Sequence, residues 1–117
     1  MSTHAHGGRA RGHHKDRQVC RQVADAVGWF LVDVDDPLLS GLLVIDAVPA
    51  PSAARVLVTL APGSGEVDAA LVLRRLAGVK DEVREEVAAE VHRRRAPELV
   101  FRVEARLPAV APPDPAR

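Results

Sequence analysis

The sequence predicts an α+β domain in the order helix, strand, strand, helix, kink, helix, strand, with a three-stranded sheet packed against helices. Three observations carry this. Apolar residues recur at every fourth position over 16–32 and again over 79–91, the spacing of a buried helical face. Short runs rich in β-branched residues at 42–48, 55–60 and 99–105 have the length and composition of strands. Clusters of proline and glycine at 49–52 and 62–65 punctuate the chain between them.

The first helix rests on Val19, Val23, Val27 and Leu31, widened by Cys20, Ala24 and Phe30, with Arg17, Arg21 and Asp25 on the opposite side. Asp35-Asp36-Pro37 ends it, because the residue before proline is pushed away from helical dihedrals. Leu42–Val48 reads as a largely buried strand, Pro49–Ser52 as a turn and Arg55–Leu60 as a second strand, so the two are expected to form a hairpin. After Pro62-Gly63-Ser64-Gly65, the spacing of Val67, Ala70, Leu71 and Leu76 predicts a helix, and Glu66 and Asp68 suit the positive end of its dipole. Glycine costs about 1 kcal/mol relative to alanine inside a helix, so Ala77-Gly78 is read as a kink and the helix restarts near Val79. Val79, Val83, Val87 and Val91 form its stripe, Pro97 ends it, and 99–105 alternates like a half-exposed third strand. The domain is placed at 16–106, between a flexible His/Gly/Arg-rich arm over 1–15 and a Pro-rich tail over 107–117.

The 117 residues are 47% hydrophobic, enough for one core. The formal net charge is zero but the charges are segregated: five bases against one acid in 1–21, one against seven in 22–72, and ten against eight thereafter. Local fields, not net charge, would therefore steer a polyanion. Cys20 stands alone, which excludes an internal disulfide and fits a reducing compartment. No apolar run approaches the ~20 residues that cross a bilayer, and the N-terminus has no hydrophobic signal core, so a cytoplasmic location is expected.

The element order, with Asp36-Pro37-Leu38-Leu39 after the first helix, Val56-Leu57-Val58-Thr59 in the second strand and Arg95-Ala96-Pro97-Glu98-Leu99-Val100-Phe101 before the third, resembles the ribosome-binding factor A family over about 17–105. The resemblance implies a type II KH-like fold. It also implies a non-catalytic assembly factor that binds the free small ribosomal subunit and assists late maturation of its rRNA, including the 5′ end. KH domains commonly clamp a nucleic-acid backbone with a Gly-x-x-Gly loop. The family carries an Ala-x-Gly kink there, and the adjacent Ala77 and Gly78 occupy that place in this chain.

Lys80 and Arg84 lie one turn apart on the last helix, and a helix continued to Arg95 would return that residue to nearly the same azimuth after about three turns. Glu82 and Glu86 fall across the valine stripe. Such separation suits phosphate binding, since phosphates attract guanidinium forks and are repelled by carboxylates. Lys80, Arg84, Arg93, Arg94 and Arg95 are accordingly the expected RNA-binding residues, with Ala77-Gly78 permitting close approach. The competing assignment makes these bases a solvated helix end that complements the dipole, with Glu90 paired to Arg94. Arg17, Arg21, Arg74 and Arg75 are weaker candidates: the first pair would extend the basic surface if the first helix packs beside the third, and surface solubility is the favoured role for all four.

Other chemistry is weaker. His4, His6, His13 and His14 lack cysteine or carboxylate companions beyond Asp16, so neither a metal nor a cofactor is expected. Gly63-Ser64-Gly65-Glu66-Val67-Asp68 lacks a third glycine and places acids where phosphate would approach. Asp33, Asp35 and Asp36 fit helix termination, Cys20 fits burial rather than a pair with His92, and Trp29 fits a rim beside core residues Phe30 and Phe101. No nucleophile, base and oxyanion set can be assembled, so an enzyme is not expected. The expected partner is the small subunit with its rRNA, bound by a monomer, with no membrane and no small-molecule substrate. The alternative is an adaptor that uses the acidic segment Asp33–Asp46 or a sheet edge.

Overall fold

In the computed structural model the described residues are 2–50, 54–91 and 95–108, with only the backbone described for 2–15. The elements run α1 (Ser2–Asp33), α2 (Pro37–Ser40), β1 (Leu42–Pro49), β2 (Arg55–Pro62), α3 (Ala69–Gly78), α4 (Lys80–Glu90) and β3 (Glu98–Val103). The α+β order expected from periodicity is present, and the sheet order is β1-β2-β3.

Two features differ from expectation at the N-terminal side. The backbone of α1 is helical from Ser2, where a flexible arm over 1–15 was expected. No proline occurs before Pro37, and a helix nucleated by the buried turns of 19–31 needs only propagation to extend upstream. Asp36-Pro37 does more than terminate: Asp36 caps α2, accepting the Leu38 N–H at 2.9 Å, and Pro37 fills the first helical position. That Asp-Pro signal was readable in the sequence.

β1 and β2 pair antiparallel as the expected hairpin, Leu42 opposite Pro62 and Pro49 opposite Val56, with a bulge between Val44 and Asp46. β3 lies parallel to β2, Arg55 opposite Glu98 and Leu60 opposite Val103. It begins one residue earlier and ends two residues sooner than the 99–105 alternation predicts. Beyond it, the Val67 N–H donates to the Ala105 carbonyl at 2.8 Å and Arg106 meets Glu66 at 3.0 Å, closing that end of the strand.

The core lies between one face of the sheet and the helices. Val23, Val27 and Leu31 of α1, Val56, Val58 and Leu60 of β2, Val72 and Leu76 of α3 and Val83 and Val87 of α4 are all buried there. Burying each such side chain stabilises the fold by about 1.5–3 kcal/mol. On the opposite face of the sheet Val48 and Val100 are 37% and 39% exposed, and Leu57 lies between them. Phe30 and Phe101 pack against the core as expected, whereas Trp29 is 67% exposed on the outside of α1.

An acidic cap and an ion pair fix α3, which flanks the cleft described below. Asp68 accepts the Ala70 and Leu71 N–H groups at 3.0 and 3.3 Å and starts the helix. Arg75 of α3 reaches Asp36 at 2.8 Å, tying α3 to the α1–α2 junction. Gly65 has φ +69, the left-handed conformation that explains the glycine in the loop before α3.

Candidate nucleic-acid interface

A cleft of about 730 Å³ opens between the α3–α4 pair and β3. Its floor is apolar, formed by Leu76, Val83, Leu99 and Phe101, and its rim carries Lys80, Arg84 and Arg95. Among the described residues none of these three cations has an ion-pair partner. The carboxylate at the rim, Glu98, meets Arg55 at 3.4 Å.

Lys80 and Arg84 reach the cleft because α4 buries Val83 and Val87, which turns the adjoining stripe toward β3. The exposed acids of α4, Asp81, Glu82, Glu85, Glu86 and Glu90, do not line the cleft. The helix is thus electrostatically two-sided, and a polyanion approaching it is attracted on one flank alone.

Arg95 arrives by a different route from the one its spacing implied. α4 ends at Glu90, where the Val91 N–H donates to the Val87 carbonyl at 2.8 Å, so Arg95 is not helical and the three-turn azimuth does not apply. It lines the cleft because it stands three residues before Glu98, which the parallel pairing of β3 sets beside Arg55. Arg93 and Arg94 lie outside the described residues.

The helical break falls at Val79, with φ −117 and ψ 20, one residue past Gly78. Ala77 lines the cleft. A Cβ placed on Gly78 would meet nothing within 4 Å, so packing does not demand a glycine there. Sequence reasoning missed the apolar floor of Leu76, Val83, Leu99 and Phe101, because those residues carry only a core signature and their meeting depends on the parallel pairing.

Arg17 and Arg21 stand apart. They line a shallower groove of about 360 Å³ with Cys20, Val48 and Pro49, on the far side of the sheet order. Burial, reinforced by the charges of Asp16 and Asp46, pushes the Cys20 thiol up, which keeps it protonated and unreactive. Arg75 is engaged with Asp36. Desolvation pushes the Asp36 carboxyl upward, but hydrogen bonds from Arg75 and the Leu38 N–H, with the guanidinium charge, outweigh it and hold it below the usual carboxylate range. The four N-terminal histidines have no described side chains and His92 lies outside the described residues. Among the described residues no group of three or more His, Cys, Asp or Glu is placed to hold a metal, and no helix is long and apolar enough to cross a membrane.

Apart from the short α2, the order is helix-strand-strand-helix-helix-strand, and with α1, α3 and α4 over one face of a mixed sheet and a cleft beside its last strand it defines a KH-like α+β domain. The crystal structure of ribosome-binding factor A from Thermus thermophilus has this same fold: the TM-score is 0.59 at 23% identity, over 79% of this chain and 93% of that one. No family model matches the sequence, and no curated protein matches it.

Proposed function

We propose that this chain is an assembly factor of the ribosome-binding factor A type, which acts in the cytoplasm on the free small ribosomal subunit. It assists late maturation of small-subunit rRNA, including the 5′ end, without catalysing a reaction itself. The observation that carries this reading is the convergence of Lys80, Arg84 and Arg95, without ion-pair partners among the described residues, on one cleft of a KH-like fold. Arg93 and Arg94, which precede Arg95 in the sequence, belong to the proposed RNA-binding set on their charge alone.

An apolar floor beneath a cationic rim suits a nucleic acid whose phosphates meet the rim while less polar surface enters the cleft. Binding of this kind releases counterions, so affinity falls by roughly 0.7–0.9 log units per decade of salt for each neutralised phosphate. Sedimentation of the protein with purified small subunits over a salt series tests the reading. Steep salt dependence that flattens in the Lys80→Glu/Arg84→Glu/Arg95→Glu variant is expected. Unchanged association by that variant, with an unchanged slope, would remove the cleft from the interface.

A further inference from the structure

We propose that the open edge of β3 pairs antiparallel with β3 of a second copy of this chain, in the register that sets Val100 against its own mate. The parallel ladder itself shows which backbone groups are free. The N–H groups of Glu98 and Glu104 donate to the carbonyls of Ala54 and Leu60, so residues 98, 100, 102 and 104 face β2. Leu99, Phe101 and Val103 therefore turn their N–H and C=O groups to the open side. Among the described residues no backbone partner meets them. Ala105, the next outward carbonyl, is already occupied by the Val67 N–H, which limits the open edge to the strand proper.

The side chains select both the occupant and the register. Glu98, Val100 and Arg102 alternate on the sheet face away from the helices, and Val100 is 39% exposed. Antiparallel pairing centred on Val100 sets Glu98 of each copy opposite Arg102 of the other and joins Leu99 to Phe101 of the other copy by paired backbone hydrogen bonds. A shift that centres the pairing on Phe101 would oppose Glu98 to Glu104 of the second copy, which like-charge repulsion disfavours. Both charges already have a partner in their own chain, Arg55 at 3.4 Å from Glu98 and Glu104 at 3.2 Å from Arg102, and in the favoured register each gains a second partner from the mate. The apolar row Val48–Leu57–Val100 continues across the two-fold axis into the same row of the second copy. The strand is thus complementary to itself in charge. This inference does not rest on the rRNA reading, and its test contains no RNA.

Sedimentation equilibrium of the protein alone should show a mass rising with concentration from 12.5 kDa toward twice that value. Glu98→Arg and Arg102→Glu should each hold the protein at the single-chain mass, while the double variant, which exchanges the two charges, should restore association. Exposed ion pairs contribute little to stability, so all three variants stay folded, as circular dichroism would verify. A Val100→Cys variant places two thiols across a non-hydrogen-bonded pair, about 4.5 Å apart at Cα, where an intermolecular disulfide closes readily. It should give a covalent dimer on mild oxidation, and Leu43→Cys, also exposed, should not. Cys20, 5% exposed, does not compete. A single-chain mass at every concentration overturns the proposal. So does association that ignores the charge variants, or a Val100→Cys protein that links no faster than Leu43→Cys.

Discussion

The two edges of this three-stranded sheet are built from similar residues and behave differently. Along β1 a bulge between Val44 and Asp46 breaks the ladder, and Pro49 carries no donor, so an added strand finds no continuous register. Along β3 the ladder is regular and its outward groups are open from Leu99 to Val103. Each edge also borders a groove with basic residues. The groove beside β1 holds Arg17 and Arg21 over about 360 Å³, whereas the cleft beside β3 gathers Lys80, Arg84 and Arg95 over about 730 Å³. A basic pair on one helix face arises from local spacing. A basic rim assembled from a helix and a strand-leading loop requires the fold.

Both edges depend on the central strand, and Leu60→Ala tests that dependence with the largest expected effect. Leu60 is fully buried, so its truncation should cost about 2–5 kcal/mol in urea unfolding. Leu43→Ala, on β1 at a half-exposed site, should cost far less. Next in size is the contrast between the grooves. Reversing Lys80, Arg84 and Arg95 should remove about 2–3 units from the salt slope of small-subunit binding, while Arg17→Glu/Arg21→Glu should leave most of it. Equal losses from both variants would erase the distinction between the two edges. The wall of the β3 cleft depends on the start of α3, and Asp68→Ala should destabilise the protein by about 1 kcal/mol through loss of the cap.

Smaller effects sharpen the picture at the roof of the cleft. Gly78→Ala meets open space and lowers the entropy of the unfolded chain, so unfolding should be harder by about 0.4–1 kcal/mol. If that variant also binds small subunits less well, close backbone approach at Ala77-Gly78 is part of recognition. Finally, the Arg75–Asp36 tie should be acid-sensitive. Because the Asp36 carboxyl is held low in the folded state, its contribution is present above the unfolded value of about 3.9 and lost as pH falls through the lower folded value. An Asp36→Asn variant should therefore be less stable than the parent at neutral pH, with the difference narrowing below about pH 4 in denaturant titrations.

The sequence alone determined the kind and order of the elements. Valines and leucines at four-residue spacing mark α1 and α4, alternation marks β3, and Asp-Pro and Gly-rich breaks mark the joints, because each of these signals is local in the chain. It also named Lys80, Arg84 and Arg95 together, but by extending a helix that ends at Glu90. Only the tertiary structure decided that β3 runs parallel to β2, that Arg95 is delivered to the cleft by that pairing, and that one sheet edge stays open while the other is interrupted. Those outcomes follow from pairings between residues far apart in sequence, whose energies come from burial and hydrogen bonding in three dimensions and leave no periodic trace along the chain.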